Sequence, residues 1–200
     1  MKFTAHYFLL LLTVAKSKKN VLPDNFPNST GERIMLDKIK INRNININLH
    51  KFMDYFQGFE HSPVTQKVFG ENAKETLENL KVEFFSFRRG YMGVSEDDGH
   101  LIVSSYHLKN SDDKTLYLDV IHELVHVKQF MDGKQLFDER FEYHDRPTEI
   151  EAYQYTVEEA RRIGMTDEEI MDYLRVWWMT DEDTKKLAER LGIKVGQDTS

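Results

Sequence analysis

Thr115-Leu116-Tyr117-Leu118-Asp119-Val120-Ile121-His122-Glu123-Leu124-Val125-His126-Val127-Lys128-Gln129-Phe130-Met131 reads as one helix. The polar cluster Asn110-Ser111-Asp112-Asp113 precedes it and Asp132-Gly133 stops it. Val120, Leu124, Val127 and Met131 fall at i, i+4, i+7 and i+11, an apolar stripe that predicts one face packed into a core. At 100° per residue the stripe centres roughly 145° from His122 and His126. Those two histidines are spaced i and i+4 in the motif HExxH, so both rings project from one face and can reach a single tetrahedral ion. Glu123, between them, lies on the same flank, where it can take a proton from a metal-activated water.

A catalytic ion of this kind takes three protein ligands and leaves a position for water. The third ligand is sought in Tyr143-His144-Asp145-Arg146-Pro147-Thr148-Glu149-Ile150-Glu151-Ala152-Tyr153. Residues two apart point to different faces of a helix, so only one of Glu149 and Glu151 faces the ion. Glu151 lies three past Thr148, the pattern of a capping box, and so has another use. Glu149 shares a face with Ala152, whose small side chain permits close approach to the metal helix. Glu149 is therefore the expected ligand, with Glu151 the alternative and His144 a weaker option. Asp119, three before His122, is expected to accept an imidazole N–H. Tyr143, His144, Tyr153, Tyr155 and His107 are candidate donors to a developing oxyanion.

The rest of the chain frames this motif. Two hundred residues with 40% apolar and 30% charged composition suit one globular domain. A net charge of −7 argues against binding driven by nucleic-acid phosphates, and no apolar run reaches the ~18 residues of a membrane span. Without cysteine there is no disulfide, thiolate site or cysteine nucleophile. Residues 1–21 read as a signal peptide or an N-terminal apolar helix, and 22–200 as the domain. The compartment stays open between the cytoplasm and secretion after cleavage near Ala15. Asn28-Ser29-Thr30 is a glycosylation sequon only in a eukaryotic secretory setting.

Ile39, Ile41, Ile45, Ile47 and Leu49 alternate with polar residues, a strand pattern interrupted at Arg43-Asn44. Ser62-Pro63 opens a helix that Gly70 interrupts, and Asn72 to Leu80 continues it. Val82–Phe87 and Leu101–Tyr106 predict a hairpin across Glu96-Asp97-Asp98-Gly99. Three late helices open on capping boxes: Thr148 with Glu151, Thr166 with Glu169, and Thr180 with Asp183. Glu158-Glu159-Ala160-Arg161-Arg162 reads as a solvated face, and Trp177-Trp178 as core or an intramolecular latch. Strands early and helices late predict an α+β fold.

HExxH followed by a helix carrying Glu-x-Glu-Ala resembles the glutamate-zincin group of metallopeptidases, in which the first glutamate completes the site. Glu149 follows His126 by 23 residues, in keeping with that group. The nearest likeness is to small single-domain zinc peptidases of the ImmA/IrrE and SprT-like types, over roughly residues 100–160. The resemblance implies a single zincin-like domain, with a small antiparallel sheet packed on the HExxH helix and C-terminal helices. It also implies one Zn2+ ion, a peptide or protein substrate, and a strand near 101–106 that pairs with extended peptide. One departure stands out. Relatives carry Asp or Asn four residues after the glutamate ligand to orient a histidine, and this chain has Tyr153 there. The rival functional reading is a zinc-binding sensor or interaction module without hydrolytic activity. In a third, HExxH is a coincidence of composition.

Overall fold

The computed structural model describes residues 38–86 and 91–194. The expectations for residues 1–21, and the sequon at Asn28, lie outside them. In chain order the elements are β1 (Lys40–Ile41), β2 (Leu49–Lys51), β3 (Phe56–Gln57), α1 (Pro63–Phe69), α2 (Ala73–Asn79), β4 (Lys81–Phe85), β5 (Met92–Val94) and β6 (Leu101–Ser104). They continue with α3 (Ser105–Asn110), α4 (Asp113–Met131), α5 (Pro147–Arg162), α6 (Asp167–Leu174) and α7 (Asp181–Arg190). The fold is α+β. Among the described residues, no helix is long and apolar enough to cross a membrane.

The motif helix forms where its sequence places it. Asp112 caps α4, its carboxylate accepting from the Thr115 backbone N–H at 2.9 Å and the Thr115 hydroxyl at 2.7 Å. The helix ends at Met131, and Gly133 takes the left-handed backbone that turns the chain away (φ +73°). Val120, Leu124 and Val127 are buried as the stripe predicts, but Met131 at its end is exposed. The opposite face is not open either. His122, Glu123 and His126 are all buried, because α5 lies alongside α4 and covers them.

The main sheet is mixed rather than antiparallel, in the order β2-β4-β6-β5. β4 and β6 run parallel, and the expected hairpin between them does not form. The chain linking them is long enough to hold a further strand, β5, and the hairpin is β5–β6 instead. Val82, Phe84, Leu101 and Val103 are all buried, as befits a pair at the centre of a covered sheet. Gly99 closes the β5–β6 turn at φ +76° over the end of α4, where a Cβ would stand 2.4 Å from the Phe130 ring.

The isoleucine alternation makes only short pairings. β1 pairs with β3 and β2 with β4, while Ile47 and Leu49 face solvent. The interruption at Arg43 has a cause. Its guanidinium donates to the Leu108 and Ser111 carbonyls at 2.6 and 2.7 Å and pairs with Asp113, tying this segment to the start of α4.

Two of the three capping boxes form, at Thr166 with Glu169 and Thr180 with Asp183. The third does not. Pro147 takes the first helical position, which suits its fixed φ and missing N–H, so α5 starts before Thr148. The Thr148 hydroxyl donates to the Leu136 carbonyl at 2.9 Å instead. Glu159 also departs from the solvated face expected of it. It is buried, accepts two hydrogen bonds from Arg162 at 2.6 and 2.7 Å, and accepts the Tyr117 hydroxyl. The Ser62 hydroxyl lies 2.9 Å from the same phenol, so this network joins α1, α4 and α5.

Candidate metal centre

α4 and α5 between them assemble one group of metal-ligating atoms. The Nε2 atoms of His122 and His126 are 3.0 Å apart, and Glu149 Oε2 lies 3.3 Å from the first and 3.5 Å from the second. An ion with bonds of about 2.0–2.1 Å to nitrogen and oxygen spaces tetrahedral ligands about 3.3–3.4 Å apart, close to all three separations. Two bare imidazole nitrogens would repel at such a distance, so a shared proton or a cation must sit between these groups. All three residues are buried. His122, His126 and Glu149 could thus bind one metal ion.

The electrostatics match. Burial alone would push the Glu149 carboxyl up, yet hydrogen bonds from both imidazoles hold it well below the usual carboxylate range. Burial likewise works against charge on His126, but the facing Glu149 carboxylate pushes its pKa up to about 9. Burial pushes the Glu123 carboxyl up; the two imidazoles oppose this, and the Glu149 and Asp119 charges add to it.

Glu151 takes no part in the group. Its carboxylate accepts from Lys134 at 2.6 Å and from Gln129 at 2.7 Å. Sequence reasoning set it aside for a capping box that does not exist; what occupies it is this pairing with Gln129 of α4 and with Lys134 just beyond that helix. Asp119 does not orient His122. It accepts from Tyr173 at 2.9 Å and pairs with His107 Nε2 at 2.7 Å. His107 is committed at both ring nitrogens, since its Nδ1 lies 3.0 Å from the Ser111 hydroxyl. His144 turns away toward α7, with Asp183 at 3.6 Å. Tyr155 lies under Lys67, on another face of α5.

Tyr143 and Tyr153 do border the site. Tyr153 packs its ring on His122, with centroids 4.4 Å apart, at the position where an acidic or amide residue was expected by resemblance. The His122 Nδ1 is accordingly buried with no hydrogen-bond partner among the described residues. The two phenols are 3.1 Å apart, and burial beside the Glu149 charge keeps both neutral. The strand Leu101–Ser104 is interior, paired on both sides, so it offers no edge to a peptide. Residues 105–106 already belong to α3.

Two contributors were not read from the sequence. The Gln129 amide oxygen lies 2.7 Å from His126 Nδ1; its place three after His126, on the same face, was the available signal. Arg146 is buried with its guanidinium over the Phe137 and Tyr143 rings and 3.7 Å from Glu149 Oε1, so the two carboxylate oxygens face different partners. The i,i+3 spacing to Glu149 was legible, though a cation before a proline reads as surface. No protein-family model matches this chain, and no curated protein or solved structure matches it.

Proposed function

We propose that this protein is a zinc-dependent peptidase in which His122, His126 and Glu149 hold the ion and Glu123 is the general base. The observation that carries the reading is the convergence of two imidazole nitrogens and one carboxylate oxygen at tetrahedral spacing, with a further carboxylate next to them in the motif. A zinc ion held there would lower the pKa of water and polarise a carbonyl. Glu123 is suited to move the proton. Among the described residues it makes no hydrogen bond that would hold it in another role, so it can accept a proton from attacking water and pass it to the leaving amine. Tyr143 and Tyr153 supply neutral hydroxyls beside the site, able to donate to a developing oxyanion. Among the described residues β5 has a strand partner on one side only and packs against α4, which suits an extended peptide added by main-chain hydrogen bonds. The substrate is accordingly a peptide or protein.

Glu123→Gln tests the assignment. It should keep stoichiometric zinc and lose hydrolysis of an unfolded protein such as casein; a variant as active as the parent would overturn the role given to Glu123. The burial of all three ligands and of Glu123 favours one second reading, a zinc-stabilised module without hydrolysis. X-ray absorption separates the two: the peptidase requires three protein ligands plus a light-atom solvent ligand, the module a site closed by protein alone.

A further inference from the structure

We infer that Gln129 is a positioning residue: its side-chain amide fixes His126 in the form protonated at Nδ1, leaving the Nε2 lone pair facing His122 and Glu149. The argument runs through hydrogen-bond polarity. The Gln129 amide nitrogen donates to the Thr148 carbonyl at 3.0 Å and to the Glu151 carboxylate at 2.7 Å. Both are pure acceptors, so a flipped amide would set its oxygen against two oxygens. Lys134, 2.6 Å from the same Glu151 oxygen, keeps that group a carboxylate. The amide oxygen is therefore the atom 2.7 Å from His126 Nδ1, and because it carries no proton the imidazole must donate. With Nδ1 protonated in the neutral ring, Nε2 is bare.

The same side chain does a second thing. Thr148 directly precedes Glu149, so the bond from Gln129 to its carbonyl ties the α4 half of the site to the α5 half. Gln129 is 2% exposed, and its bonds to His126 and to the Thr148 carbonyl are buried away from water. Orientation thus passes from Lys134 through Glu151 and Gln129 to His126, which gives Glu151 a role outside the ligand set. The consequence for metal affinity rests on the functional reading above, whereas the protonation form of the ring does not.

The experiment uses the full chain, 15N-labelled and stripped of metal with a chelator. Long-range proton–nitrogen correlation at a pH where His126 is neutral should show Nδ1 protonated and Nε2 bare; the opposite pattern overturns the inference. Zinc affinity, read by competition with a chromophoric chelator, should fall roughly 10- to 100-fold in Gln129→Leu. The same spectrum recorded on Gln129→Leu should show the Nδ1-protonated form losing its dominance, which a merely structural loss would not produce. Unchanged affinity in Gln129→Leu overturns the inference, as does a His126 ring that stays protonated at Nδ1 alone in that variant. If Gln129→Leu does not fold, the spectrum of the unmutated protein decides. A parent protein that binds no zinc overturns the metal reading, while its spectrum still decides the role of Gln129.

Discussion

Glu149→Gln and Glu151→Gln remove the same charge two residues apart, and the structure assigns them very different effects. Glu149 supplies the anionic member of a three-atom group, its Oε2 lying 3.3 and 3.5 Å from the two imidazole nitrogens. Zinc held by protein side chains gains roughly 10–16 kcal/mol at neutral pH, so losing one of three donors should cost about 3–5 kcal/mol, or two to four powers of ten in affinity. Glu151 is partly exposed and pairs with a solvent-facing Lys134, a contact worth about 0–1 kcal/mol. A glutamine there still accepts from Gln129, so affinity should stay within about tenfold of the parent. Competition with a chromophoric chelator at one pH measures both variants, and elemental analysis gives the stoichiometry. If Glu149→Gln kept the parent affinity while Glu151→Gln lost it, the third donor would be misassigned and the geometric argument would fail with it.

Two further outcomes follow from networks away from the metal group. Tyr117→Phe removes the hydroxyl that donates to Glu159 and accepts from Ser62, leaving a buried acceptor and a buried donor each short of a partner; it should cost about 1–3 kcal/mol in urea unfolding, and unchanged stability would refute a structural role for this network. The Arg140 guanidinium beside Asp138 holds its carboxyl down at about 2. A depressed carboxyl stabilises the fold above its unfolded value near ~3.9, and the contribution is lost as pH falls from there toward the folded value. The Asp138 carbon resonance should therefore titrate near 2 in the parent and move up toward the ordinary range in Arg140→Ala; identical midpoints would refute the pairing.

What was legible in the sequence was local. The limits of α4, the two imidazoles on one turn of it, and the two capping boxes at Thr166 and Thr180 depend on spacings of three and four residues, which a helix converts directly into contacts. That only one of Glu149 and Glu151 could face the group was also legible, because residues two apart on a helix cannot face the same way, and the face Glu149 shares with Ala152 pointed to it. The support drawn from a capping box at Thr148 failed because a proline one residue earlier set the helix start.

Tertiary structure decided whatever depends on partners distant in sequence. The pairing of β4 with β6 in parallel depends on β5, whose three residues carry too little apolar alternation to announce a strand. Asp119 was free in sequence terms to serve His122, yet His107 and Tyr173 claim it from other elements. Glu159 lies in a charged run that reads as solvated, and only the approach of α4 to α5 brings Tyr117 onto it and encloses it. The same approach covers His122, Glu123 and His126 and brings Glu149 to them. Residue order along a helix therefore determined which atoms could converge on an ion. The docking of a second helix, driven by burial of apolar surface, brought those atoms together.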